Sequence, residues 1–386
     1  MGMPQPIAKT VWPHVFANKL FIYLSLHLKS LTLSSYSIYF TQEGGKQIMP
    51  ADQPPCPVRT RPAIVCRDFL SRGTVQPADP FNVEKDVEDL HKAFKGSDDK
   101  SITSILSRRT NEQRQLIAKS YAAKYSTSLL AEMKSDLSVQ YRKTISGLME
   151  KPDVFLAKHV HNTLQNPALA HKDVALLEML YPLEPQEVEA ITKAYKEEFK
   201  HSLEEEVEKQ TKGLFKAILL RLITGQRSTQ RKVDVPQRNK DLEYLRSNTQ
   251  ERLQSGDEEV IRIFGNSSLS QLSSIFLNFD KAGGCTLQEY IQQSDLDNHT
   301  KEGFKVMVKS VYNRTGFYAD QLHMAIKDIG CKEDSRLMRI VISRSEIDLE
   351  NIKDFFQSAY SHTVTDLVYD DTSGDYRDLL LRLVGM

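Results

Sequence analysis

Ile342-Ser-Arg-Ser-Glu-Ile-Asp-Leu-Glu-Asn-Ile-Lys-Asp-Phe-Phe356 and, after a short polar run, Asp370-Asp-Thr-Ser-Gly-Asp-Tyr-Arg-Asp-Leu-Leu-Leu381 carry the pattern on which the chain is built. Ile347, Ile352, Phe355 and Phe356 recur at roughly helical spacing and predict one apolar helix face, while Asp370 to Gly374 combines capping and helix-breaking residues that open a second helix. The local unit is therefore helix, carboxylate-bearing loop, helix. It recurs in weaker form in three earlier places.

One anchor position sets the register: Asp136 in Lys-Ser-Asp-Leu, Gln210 in Lys-Gln-Thr-Lys-Gly, Asp295 in Gln-Ser-Asp-Leu and Asp371 in Asp-Asp-Thr-Ser-Gly. These are spaced by 74, 85 and 76 residues. The reading is all-α, with four blocks of about five helices at 81–150, 153–225, 242–312 and 316–386 and a polar linker at 226–241. In the first block the apolar positions are Leu90, Ala93 and Phe94, then Ile102, Ile105 and Leu106, then Leu116, Ile117 and Tyr121, then Leu129, Leu130 and Met133, and finally Leu137, Tyr141, Ile145 and Leu148. Val174, Leu177, Leu180, Val188, Ile191 and Tyr195 take equivalent places in the second. Each block is too small to bury its faces alone, so all four are expected in one body, as two halves on either side of the linker.

Composition agrees with a globular protein: 386 residues, 40% hydrophobic, with 51 basic and 51 acidic side chains. That balance gives no field for nucleic acid. The four cysteines, Cys56, Cys66, Cys285 and Cys331, form no CxxC pair, so neither a zinc site nor a thioredoxin-like motif is supported. Residues 1–80 read as a disordered N-terminal extension. Leu20 to Leu28 resembles a signal-peptide core, but it is short, holds His27 and ends at Lys29 without a clear cleavage site; the expectation is against a targeting segment. Met49 is the more ordinary-looking start. From Pro50 to Pro80 seven prolines disfavour helix and strand and predict an extended tail.

A hard cation such as calcium takes oxygen ligands, which a Gly-containing interhelical turn supplies as backbone carbonyls and a distant carboxylate completes. Lys95-Gly96-Ser97-Asp98 is such a turn, and Asp136 follows Gly96 by 40 positions. Together with the four-block period, Ser107-Arg-Arg-Thr-Asn-Glu-Gln-Arg114, Ser343-Arg-Ser-Glu-Ile-Asp-Leu349 and Asp371-Thr-Ser-Gly-Asp-Tyr376 make the chain resemble the annexins from about Phe81 to Met386. The resemblance implies a curved disc of four five-helix repeats, with calcium on the convex face bridging to acidic phospholipid such as phosphatidylserine. The family loop is Gly-x-Gly-Thr with a later Asp or Glu, and every block here departs from it.

The candidate calcium ligands that survive are Lys95, Gly96 and Ser97 with Asp136 in block one; Ser255 and Gly256 with Asp295 in block three; and Asp328, Gly330 and Cys331 with Asp371 in block four. Block two has Ala168-Leu-Ala-His171 and Gln210, lacks the anion, and is expected not to bind. The plainer alternative makes Asp136, Asp295 and Asp371 caps of the helices that follow, and the glycines ordinary turns. Phe279 to Ile291 is rejected as an EF-hand because Ala282 and Gly284 replace oxygen ligands. His159 and His161 face different sides of a helix, and no nucleotide loop or nucleophile elbow is present, so an enzyme is the least supported class.

The expected function is calcium-dependent, peripheral binding to acidic membranes by a cytoplasmic protein, with a raised calcium requirement. Appearance at the cell surface by a non-classical secretory route, protein partners of the tail and self-association on membranes are left open. The competing expectation is a calcium-independent helical scaffold.

Overall fold

Apolar periodicity becomes helix throughout: the computed structural model describes residues 71–133, 137–327 and 335–386, and among these no strand occurs. Block one holds α1 (Val83–Gly96), α2 (Asp99–Leu106), α3 (Asn111–Tyr125), a 3₁₀ turn at Leu129–Glu132 and α4 (Val139–Met149). Block two holds α5 (Pro152–Gln165), α6 (Lys172–Leu180), α7 (Pro185–Phe199), α8 (Leu203–Gln210) and α9 (Gly213–Ile223). Block three holds α10 (Val235–Arg246), α11 (Thr249–Ser255), α12 (Glu258–Asn266), α13 (Leu269–Gly283), α14 (Leu287–Gln293) and α15 (Asn298–Tyr312). Block four holds α16 (Arg314–Lys327), α17 (Ser335–Arg344), α18 (Leu349–Tyr360), α19 (Val364–Asp371) and α20 (Gly374–Leu383). Capping boxes at Thr110/Gln113, Thr286/Glu289 and Thr363/Asp366 fix three of the starts. The first helix of block three is broken where Asn248 turns left-handed, at φ 66°. The rejected EF-hand stretch is helix up to Gly283 and then the capped start of α14.

One contiguous apolar core runs through all four blocks. The predicted faces are largely inside, with three exceptions: Leu116 is 48% exposed, Leu130 37% and Ile347 41%. Leu116 lies beside Ile117, and successive residues of a helix cannot share its buried side. Ile347 precedes α18, so its place in that helix's stripe was misread; Ile352 and Phe356 are buried.

The pairing of blocks differs from the expectation of halves on either side of the linker. Blocks two and three pack together, through α6 with α15 and α9 with α12, while blocks four and one meet through α20 with α2 and α4. Part of the linker is the reason. Arg227 is buried, its guanidinium donating to the carbonyls of Tyr181 (2.9 Å) and Phe264 (3.1 Å) and lying 4.1 Å from the Tyr181 ring. It ties α12 back to block two, and α10 begins within the predicted linker at Val235.

The opening motif explains the other pairing. Glu346 accepts from the Asn111 backbone (2.8 Å) and from Arg114 (3.1 Å) of block one. The same turn receives the chain ahead of α1: Val75 N–H donates to the Ser345 carbonyl at 2.9 Å, and Thr74 Oγ1 donates to the Leu383 carbonyl at 2.5 Å. Gly73 leaves no room for a side chain, since a Cβ there would lie 2.6 Å from the Glu346 backbone. Residues 71–80, assigned to a mobile tail from the sequence, are instead a strap joining blocks four and one. An extended segment satisfies its backbone groups by pairing, and composition alone does not reveal a docking partner. The rest of the predicted extension, 1–70, lies outside the described residues.

Close approach at the two–three boundary yields a first prediction. Gly303 on α15 faces Phe215 of α9, and an added Cβ would come within 2.1 Å of the ring. Gly303→Ala should cost about 1–3 kcal/mol, read as a lower urea midpoint with unchanged slope.

Candidate calcium site

The anchor position keeps a fixed offset along the chain from the last helix of each block. The N-cap position of that helix falls two residues after it, at Ser138, Lys212, Asp297 and Ser373; the Ser138 and Asp297 side chains cap their helices, while Lys212 and Ser373 make no side-chain cap bond. The capping alternative therefore fails for Asp295 and Asp371, because Asp297 and Ser373 hold those places. Asp371 is the final residue of α19, at a helix end rather than in an open loop. Asp136, Asp328, Gly330 and Cys331 lie outside the described residues.

The turn in block one is shorter than a wrapping loop. Only Ser97 and Asp98 separate α1 from α2, and Gly96 is still helical. The left-handed residue is Ser97, at φ 55°, not the glycine that the sequence singled out. Lys95 is the basic residue of the last turn of α1. Asp98 turns toward its own helix, accepting from Ser101 N (3.1 Å) and Ser101 Oγ (2.5 Å), and these bonds hold its carboxyl below the usual range.

Of the three blocks expected to bind, block three is the one whose turn and anchor are both described. Gly256 is left-handed at φ 56°, and a Cβ there would lie 2.9 Å from Leu214 of block two, so glycine is required twice over. Ser255 Oγ donates to the Arg252 carbonyl at 3.1 Å. Asp257 caps α12 through Val260 N–H (3.0 Å) and takes hydrogen bonds from Tyr244 and from Arg252 at 3.4 Å. Burial works against its charge, but these three donors outweigh it and hold the carboxyl below its ordinary range. The Asp295 N–H donates to Gln250 Oε1 at 3.2 Å, which holds the anchor beside the helix that ends at this turn. Asp295 itself is exposed, and its carboxylate has no partner among the described residues.

Block two, expected not to bind, has a different arrangement at its anchor. Lys172 Nζ donates to the Leu164 carbonyl (2.5 Å) and to Gln210 Oε1 (3.0 Å). An ammonium thus joins the end of α5 to the anchor side chain. The sequence reading rested on Gln210 in place of an anion; it did not single out Lys172, whose ammonium meets that side chain.

Elsewhere, His161 Nδ1 lies 3.0 Å from Tyr195 Oη and stacks on Phe199, whereas His159 packs edge-on to Phe155 at a cavity of about 600 Å³. Burial, with Arg339 and Lys143 nearby, pushes the His159 imidazole down to about 3, so it is neutral. The two histidines do face different neighbours.

The annexin family model matches residues 85–148 and 317–383, within blocks one and four. Annexin A8-like protein 1 of Homo sapiens is 33% identical over 316 residues, covering 81% of this chain and 95% of that protein. Annexin A11 of Oryctolagus cuniculus is 32% identical over 326 residues, 84% of this chain; the chain spans 64% of that relative's length. Among solved structures, annexin III superposes with a TM-score of 0.74 at 31% identity, over 82% of this chain and 97% of that one. A calcium-bound annexin (Sm)1 superposes at 0.72 and 29% identity, over 82% and 94%.

Proposed function

Since this chain belongs to the annexin family, whose common property is calcium-dependent phospholipid binding, we propose that it docks peripherally on acidic membranes when calcium rises. The observation that carries the reading is Asp295: an exposed carboxylate with no partner among the described residues, its backbone tied to Gln250 of the helix that ends at the Gly256 turn, at the register position two residues before the N-cap of α15. Its donor set is all oxygen, which suits a hard cation. Asp295 with the carbonyls of Ser255 and Gly256 would hold calcium in block three. Asp136 with the turn at Lys95, Gly96 and Ser97, and Asp371 with Asp328, Gly330 and Cys331, are the corresponding proposals in blocks one and four. Bound there, calcium supplies positive charge with coordination positions left for lipid phosphate oxygens.

The protein's part is to place the carboxylate and the turn together and to keep both wet. Two-residue turns offer fewer carbonyls than a longer loop, so the calcium requirement should be high. No helix among the described residues is long and apolar enough to cross a membrane. A cytoplasmic protein attached to the membrane surface, without catalysis, is the reading we adopt. Attachment of tail partners and self-association on the bilayer belong to the same proposal.

A second reading, a calcium-independent scaffold, is favoured by Lys172, whose ammonium joins α5 to the anchor side chain of block two. Co-sedimentation with phosphatidylserine vesicles across a calcium titration, followed by chelator, separates the two. Pelleting that appears with calcium and reverses with chelator is expected. Pelleting that ignores calcium, or none at millimolar calcium, would leave only the scaffold.

A further inference from the structure

Three metal-ligating side chains converge where block two meets block three, outside the turns proposed for calcium. His171 and Asp173 come from the start of α6, and His299 from the first turn of α15; their donor atoms all lie within 4.8 Å of one another. Asp173 is buried at 7% exposure, and His299 Nε2 lies 2.9 Å from its Oδ2 and 3.1 Å from its Oδ1. The His171 ring stacks on His299 with centroids 4.7 Å apart, and Phe215 closes the other side of His299 edge-on at 5.2 Å.

We propose that His171, Asp173 and His299 form a binding site for a divalent transition ion of the zinc class, clamping block two to block three. Two imidazoles and one carboxylate are the donor set of a three-ligand zinc site whose fourth position takes water. Nitrogen donors discriminate against calcium, so this site is independent of the membrane reading.

Geometry favours the assignment. Metal–ligand bonds of about 2.0–2.2 Å in a tetrahedron set neighbouring donors roughly 3.4 Å apart. The Asp173–His299 pair is already near that separation, and the ion would take the place of the proton the pair shares. His171 must close the remaining distance. It can, because it is exposed, sits at the N-cap of α6, and makes no capping hydrogen bond with its side chain. The neighbouring positive charge of Lys172 is committed to Leu164 and Gln210. Asp173 Oδ1 also accepts from the Val174 backbone at 3.0 Å, which orients the carboxylate.

The test is calorimetric titration of the full chain with zinc chloride in the presence of millimolar calcium, with a parallel cobalt titration followed by visible absorption. One zinc equivalent should bind, with a four-coordinate cobalt spectrum and a zinc-dependent rise in Tm. His171→Ala should weaken zinc at least tenfold and abolish the cobalt band while leaving the metal-free melting curve unchanged. His299→Gln should do the same to the metal signals. No saturable zinc binding in the wild-type chain, or a His171→Ala isotherm superimposable on wild type, would overturn the site.

Discussion

Asp348→Ala should be the most damaging single substitution in the helical body, at about 3–5 kcal/mol, because it strands a buried guanidinium. Arg344, the last residue of α17, donates from Nε to Asp348 Oδ1 at 2.7 Å and from Nη2 to Oδ2 at 2.6 Å. Both side chains are nearly inaccessible, at 5% and 6% exposure, and the guanidinium also lies 4.6 Å from the Tyr318 ring. Burial opposes the charge on Arg344, but Tyr318 and the paired carboxylate more than offset it and raise the arginine above its usual range. The pair is thus retained as an ion pair, and removing one half costs far more than the net worth of both. Urea unfolding followed by circular dichroism reads the loss as a lower midpoint. Arg344→Met with Asp348→Leu should recover much of it, since a buried pair replaced by apolar side chains of similar volume is often tolerated. A single alanine variant as stable as wild type would refute the argument.

That pair sits inside the stretch from which the fold was readable, and the reasons are local. Helix periodicity, capping and the recurrence of one anchor every 74 to 85 residues all follow from chain-neighbour geometry. What the sequence hid was tertiary. Glu346 reads as one more charge on a helix, but it reaches Arg114 in another block, and Arg227 reads as part of a polar linker although it is wholly enclosed. The choice of which blocks pair depends on such contacts, not on order along the chain. The turns were misread for a related reason: glycine marks where a left-handed residue is easy, not where it must occur, so Ser97 took the role assigned to Gly96. At Gly256 the close approach of Leu214 removes that freedom of choice. The histidine–aspartate cluster has two members, His171 and Asp173, in a block set aside for lacking a carboxylate anchor. Its third member, His299, lies more than a hundred residues away, where no local spacing rule reaches.

The membrane proposal makes its strongest demand on the anchors that the structure describes. Asp295→Ala combined with Asp371→Ala should raise the calcium needed for half-maximal vesicle binding by at least tenfold, leaving the unfolding midpoint within about 0.5 kcal/mol of wild type. The argument for the second clause is positional: Asp297 caps α15 and Ser373 occupies the N-cap position of α20, so neither helix start depends on an anchor carboxylate. The argument for the first is chemical, since a turn's carbonyls without an anion compete poorly with water for a divalent ion. Gln210→Ala supplies the contrast. Its amide already faces the Lys172 ammonium, so on the proposed reading block two binds no calcium, and the half-point should move by less than twofold. Equal shifts in the two variants would mean that the anchor acts through repeat packing and not through the ion. A double variant that binds vesicles at the wild-type calcium concentration would leave blocks three and four without a part in membrane docking.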